Sequence, residues 1–205
     1  STDNQYHLQY LLNSKINSRN LIRFTTTYSL LNLKYKIGQF DRQYGLFIDL
    51  LNEDSNTNLL QSSISWQYKI NDNLLFNSGI HYQQLFLNNT YAIEPRAGFK
   101  WLLGKQQSLN AAYGLHNQMQ PLINYFYKTY NFNDNTYTQT NRNMNFTQSN
   151  HYVLGYENMF SEYYRFKAEA YYQTQSKVPV NGAQADYFSM LNQGSDIGGL
   201  ELVDS

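Results

Sequence analysis

The chain has 205 residues and no cysteine, and its 15 basic residues are balanced by 15 acidic ones. This excludes a disulfide framework and a thiolate zinc site, and it gives none of the basic footprint of a nucleic-acid binder. Aromatic residues reach 17% and charged residues only 15%, against about 25% charged in ordinary soluble domains, so 26 Asn and 18 Gln supply much of the polarity.

Period two dominates from the start of the chain. Tyr6, Leu8, Tyr10 and Leu12 alternate with His7, Gln9 and Asn13, which predicts a strand over 4–15. In 20–37, Ile22, Phe24 and Tyr28 oppose Arg23, Thr25, Thr27 and Ser29. The apolar parity then passes to Leu31, Leu33, Tyr35 and Ile37, and a bulge near Leu30-Leu31 would produce that slip. Ile64, Trp66, Tyr68 and Ile70 mark a strand over 59–70, and Leu74, Phe76, Ile80, Tyr82 and Phe86 mark one over 73–87. The same alternation predicts strands over 93–103, 107–120, 148–160 and 164–178. Each makes one apolar and one polar surface.

The connections alternate in length. Short turns are expected near Asn17–Asn20, Asn71–Asn73, Gly104–Gln107 and Ser161–Tyr163. Long polar connections are expected near 38–58, 88–92, 121–147 and 179–205. Gln106–Tyr127 contains no charge, but Asn, Gln and His interrupt it too often for a membrane helix. Alternating strands with turn asymmetry instead predict an all-β fold, an antiparallel transmembrane β-barrel segment with about eight strands visible. The polar face would line a water-filled lumen, and Tyr and Trp near strand ends would form interfacial girdles.

Glu94-Pro95-Arg96-Ala97-Gly98-Phe99-Lys100-Trp101 resembles the strand-opening Glu-Pro-Arg segment in the barrels of TonB-dependent outer-membrane receptors. His151–Glu157, the turn after it, and Arg165–Tyr172 are similar to the same barrels. Val178-Pro179-Val180 and Tyr187–Gly194 resemble receptors from Bacteroidota. The resemblance covers most of 59–205. It implies a 22-stranded barrel in the outer membrane of a Gram-negative bacterium, holding its own plug domain and importing a scarce nutrient with energy from TonB. The 205 residues would then be one partial barrel domain, internal to a longer receptor, without the plug domain or the C-terminal closing strand. Such receptors can also sit with a surface-exposed lipoprotein.

The resemblance implies binding and gated passage, with no catalytic residue, metal or cofactor. Four histidines, His7, His81, His116 and His151, lack ligand-like spacing to a second His or a carboxylate. Candidate lumen- or plug-facing residues are His81, Arg96, Lys100, His116, Glu157, Lys167 and Glu169. The connection 121–147 offers Tyr125, Tyr127, Tyr130, Phe132 and Tyr137 as extracellular ligand contacts, because aromatic faces stack on sugars, peptides or chelates. The bland alternative is that these rings form a girdle or pack the loop onto its neighbours. Three other classes stay open: a barrel that anchors a surface complex without transport, a small barrel enzyme acting on lipids, and a soluble carbohydrate-binding sandwich.

Overall fold

The computed structural model describes residues 2–180. Tyr187–Gly194 and most of the connection expected at 179–205 lie outside the described residues. Eight long antiparallel strands form one sheet: β1 (Thr2–Lys15), β2 (Asn20–Asp41), β3 (Leu46–Lys69), β4 (Leu74–Leu85), β5 (Thr90–Leu102), β6 (Gln107–Gln118), β9 (Thr147–Met159) and β10 (Arg165–Ser176). Their order is β1-β2-β3-β4-β5-β6-β9-β10. Between β6 and β9 come α1 (Leu122–Phe126) and a small hairpin of β7 (Thr129–Asn131) and β8 (Thr136–Thr138). Among the described residues the sheet is open: β1 and β10 each pair on one side only.

All four short turns form where the sequence places them, for a local reason. Asn17 Oδ1 accepts from the amides of Arg19 and Asn20 at 2.9 and 2.8 Å, and Asn71 Oδ1 accepts from the Asn73 amide at 2.9 Å. Ser161 Oγ accepts likewise from the Tyr163 amide at 3.2 Å. Short polar side chains that satisfy the backbone this way close tight turns.

At the other end, two of the expected long connections are corrected. Residues 38–41 and 46–58 are strand, joined by a tight turn: β2 continues to Asp41 and β3 begins at Leu46. Asp41 Oδ1 accepts from the amides of Gln43 and Tyr44, and Gly45 takes the left-handed conformation at φ 65°. The connection near 88–92 is a tight turn over 86–89, ended by left-handed Asn89 at φ 58°. Polarity suggested loops, but Asp, Asn and Gly at these positions supply the turn chemistry itself. Beyond Lys34, the partner of Thr2, β2 and β3 continue as a two-stranded ribbon.

The expected bulge at Leu30-Leu31 is absent, and the register runs unbroken there. The irregularity lies instead at Ile37/Gly38, where Ile37 pairs with Leu51 and Gly38 with Asp49. Apolar parity changes because the covering changes. Leu31 and Leu33 stay on the face of Arg23 and Ser29, but here α1 and its flanks lie over that face. Leu31, Leu33, Leu51, Leu85, Leu122, Ile123, Tyr125, Phe126 and Phe146 form the buried core of the described residues. The face they cover is the inner face of the sheet.

The cross-strand register assigns every strand residue to a face. Arg23, Lys69, Glu94, Arg96, Lys100, Glu157, Lys167 and Glu169 are all inner. The outer face from β1 to β10 is uncharged up to the ribbon, where Lys34 pairs with Asp54. It exposes Leu8, Ile64, Ile80, Ile93, Trp101, Leu154 and Tyr172, each at least 49% accessible. Around its turn-side rim, Trp66 stacks on Tyr68 and meets Phe76 edge-on, and Phe76 packs on Phe99.

Candidate functional site

The inner face brings His81, Arg96 and His116 into one neighbourhood, organised by a residue that sequence reasoning did not single out as a site residue. Glu94 is 1% exposed. Its Oε2 accepts from His81 Nδ1 at 2.9 Å and from an Arg96 Nη at 2.8 Å. Its Oε1 accepts from Gln83 Nε2 and from the Asn117 amide, both at 2.8 Å. Gln83, itself buried, also donates to the Asn117 carbonyl at 2.7 Å. Four donors converge on two oxygens, so the carboxyl is held as a carboxylate: an acid proton would face another donor. Among the described residues, no buried side-chain polar atom lacks a partner.

His81 has no carboxylate at ligand-like spacing in the sequence, but the sheet brings Glu94 to it. The 86–89 turn pairs His81 with Glu94 across β4 and β5, 13 residues apart in sequence. The signal that could have found the pair was that turn. Placing it at 88–92 moved the register by several residues.

The His116 ring meets the His151 ring edge-on at 4.8 Å, and His151 Nε2 lies 2.9 Å from Ser149 Oγ. His7 bonds Ser29 at 2.8 Å on the same face, at the β1 edge of the sheet. Among the described residues no group of three His, Asp or Glu side chains could hold a metal ion.

Lys100, Glu157, Lys167 and Glu169 share the inner face with Arg96 but do not form one cluster with it. Lys100 lies in the row Lys100–Asn110–Gly155–Glu169, with two strands between β5 and β10. Lys167 pairs with Glu169 at 2.9 Å, and Glu157 pairs with Arg165 at 2.8 Å. All of these side chains except Glu157 are about half exposed, where isolated ion pairs contribute little.

Beside Glu94 the inner face opens into a groove of about 610 Å³. Ser63, Ser65, Gly79, Gly98, Ala112 and Gly114 leave its floor nearly bare of side chains. Gly79 is required by the sheet itself, since a Cβ there would stand 2.8 Å from the Ile64 carbonyl oxygen. Arg23, His81, Arg96, His116 and His151 line the sides.

The aromatic residues of 121–147 divide into two groups. Tyr125 is fully buried in the core, and its hydroxyl accepts from the Gln120 amide at 3.4 Å. Burial pushes its phenol up to about 12. This corrects the expectation that Tyr125 faces a ligand. Tyr127 is half-buried beside it. Tyr130, Phe132 and Tyr137 lie on the β7–β8 hairpin and its turn, where Tyr44 stacks on Phe132 at 4.1 Å and Tyr130 meets both Phe132 and Tyr137 near 5 Å. Phe132 and Tyr137 remain 37% and 45% exposed.

The hairpin is held to the ribbon. Glu53 accepts from Lys128 at 2.9 Å and from Gln139 at 3.2 Å, and the Asp49 amide donates to the Tyr137 hydroxyl at 3.2 Å. Asn88, in the β4–β5 turn, donates to the carbonyls of Arg142 and Met144. The 121–147 connection is therefore fastened over the inner face at both ends.

No protein-family model matches the chain, and no curated protein matches it.

Proposed function

We propose that the chain is part of the barrel of an outer-membrane transport receptor of the TonB-dependent kind, which binds an extracellular ligand and admits it through a gated interior. The observation that carries this reading is the separation of charge. Across eight strands the charged side chains below the ribbon lie on one face, while the other is uncharged and exposes large apolar side chains from β1 to β10. Exposed apolar patches on soluble monomers seldom exceed a few hundred Å², whereas a lipid-facing sheet has this alternation on every strand.

Three further features support it. The tight turns at one end contrast with the ribbon and the 121–147 connection at the other. Trp66, Tyr68, Phe76 and Phe99 band the outer rim above the tight turns, as an interfacial girdle would. The edges of β1 and β10, unpaired among the described residues, call for further strands, because an open sheet edge is not tolerated in hydrocarbon. On this reading the ribbon and the Tyr44–Tyr130–Phe132–Tyr137 cluster face the outside. The plug, the contact with TonB and any surface lipoprotein partner involve regions beyond these residues.

The test is a matched pair of neighbours on β3. Ile64→Lys places a charge on the outer face and costs about 2–4 kcal/mol if that position lies mid-bilayer; Ser63→Lys places the same charge on the inner face. The expected result is that Ile64→Lys depletes the protein from the outer-membrane fraction while Ser63→Lys does not. Equal behaviour of the two, or partition of the native protein into water without detergent, would refute the reading.

A further inference from the structure

We propose that the groove beside Glu94 is a binding site for a small polyanion, a molecule carrying two or more carboxylate or phosphate groups. Arg23 and Arg96 fall in one cross-strand row, Arg23–Ser65–Gly79–Arg96. Three strand spacings, about 14 Å, separate them, with only a serine and a glycine between. Arg23 Nε donates to Asn13 on β1 at 2.8 Å, so its two Nη groups are the donors left for a ligand that lies on that bare floor and also reaches Arg96.

The chemistry of the walls is one-sided. Among the described residues no Asp or Glu lines the groove. The one acid behind it, Glu94, is 1% exposed and has both oxygens occupied. That carboxylate works as an anchor. It holds Arg96 by one Nη, leaving the rest of a five-donor fork for an anion. It also holds His81 by Nδ1, which turns Nε2 away from the hub. His116 and His151 line the groove beyond Arg96, on β6 and β9. Guanidinium groups recognise carboxylate and phosphate through paired N–H bonds, and a volume near 610 Å³ suits a small molecule.

The site requires only that the inner face be wet, so it goes beyond the receptor reading without depending on uptake. The experiment is calorimetric titration of the folded, detergent-solubilised protein with citrate and, separately, with pyrophosphate. Two variants accompany it. Arg23→Gln removes a guanidinium outside the Glu94 hub. Gly98→Leu fills the floor where an added Cβ meets its neighbours at ordinary distances of 3.5 and 3.7 Å.

The expected result is binding that weakens with added salt, falls at least tenfold in Arg23→Gln and is lost in Gly98→Leu, with both variants showing the parent's heat-modifiable gel mobility. Tighter citrate binding assigns a carboxylate ligand, and tighter pyrophosphate binding assigns a phosphate. No binding of either anion by the folded protein, or equal affinity in parent and both variants, overturns the site. Membrane insertion is read separately, so failure of the site leaves the receptor reading standing, and a water-soluble protein that binds anions has the opposite consequence.

Discussion

Replacing Glu94 tests how the inner face is organised. Glu94→Gln keeps the shape and one acceptor oxygen. Oriented to keep Gln83 and the Asn117 amide, it turns its own NH2 toward His81 and Arg96. His81 can answer by changing tautomer, whereas Arg96 has no acceptor to offer. One charge-assisted bond is lost, worth about 1.5–3 kcal/mol. Arg96 offsets part of this because its side chain is 46% exposed and regains water. Glu94→Leu removes all four acceptor contacts. Gln83 keeps the Asn117 carbonyl, but the Asn117 amide and His81 lose the partner they had. Leaving those two part-buried groups without their acceptor costs about 1–3 kcal/mol each, while the half-exposed Arg96 turns to water. The assay is urea unfolding in detergent, followed by the fluorescence of Trp66 and Trp101, which lie on strands flanking β4. The expected order of stability is parent, then Gln, then Leu. The reasoning is refuted if both variants unfold within about 0.5 kcal/mol of the parent, since surface substitutions away from such networks fall in that range.

Three further outcomes are expected. Tyr125 ionises near 10 in the unfolded chain and at about 12 when buried. Its contribution is thus complete below pH 10 and is lost as pH rises through 12, by up to about 2.7 kcal/mol at 1.36 kcal/mol per unit. Tyr125→Phe flattens that part of the stability-versus-pH curve, and an unchanged alkaline slope would contradict the burial. Gly79→Ala forces backbone movement against the Ile64 carbonyl and costs about 1–3 kcal/mol, whereas Gly98→Ala is tolerated; thermal unfolding of the two variants compares them directly. Glu53→Ala releases Lys128 and Gln139 from the ribbon, so limited proteolysis cuts 127–147 faster than in the parent while β1–β6 remain protected; equal cutting rates would show that the apolar core alone holds the connection.

Much of the strand layout was legible because alternation is a local property. Ile64, Trp66 and Tyr68 share a face in any strand that contains them. The tight turns were legible too, since Asn17, Asn71 and Ser161 close their own backbones. The parity change at Leu31 was visible, but its cause was not. A bulge and a new covering layer leave the same trace in sequence, and only α1 packed on Leu31 and Leu33 separates them. Among the loop aromatics, composition could not distinguish Tyr125, sealed in the core, from Tyr137, 45% exposed.

The sequence by itself determined that this is a β protein whose strands, outside the ribbon, put their charge on one face and aliphatic and aromatic side chains on the other. Tertiary structure alone decided which polar residues meet. A strand slipped by two residues keeps every side chain on its face, so alternation is blind to that shift. The 86–89 turn selects the register, and the register sets His81 opposite Glu94 and Arg96 opposite Gly79. The Glu94 hub and the groove beside it therefore follow from turn geometry and pairing, which link residues far apart in the chain.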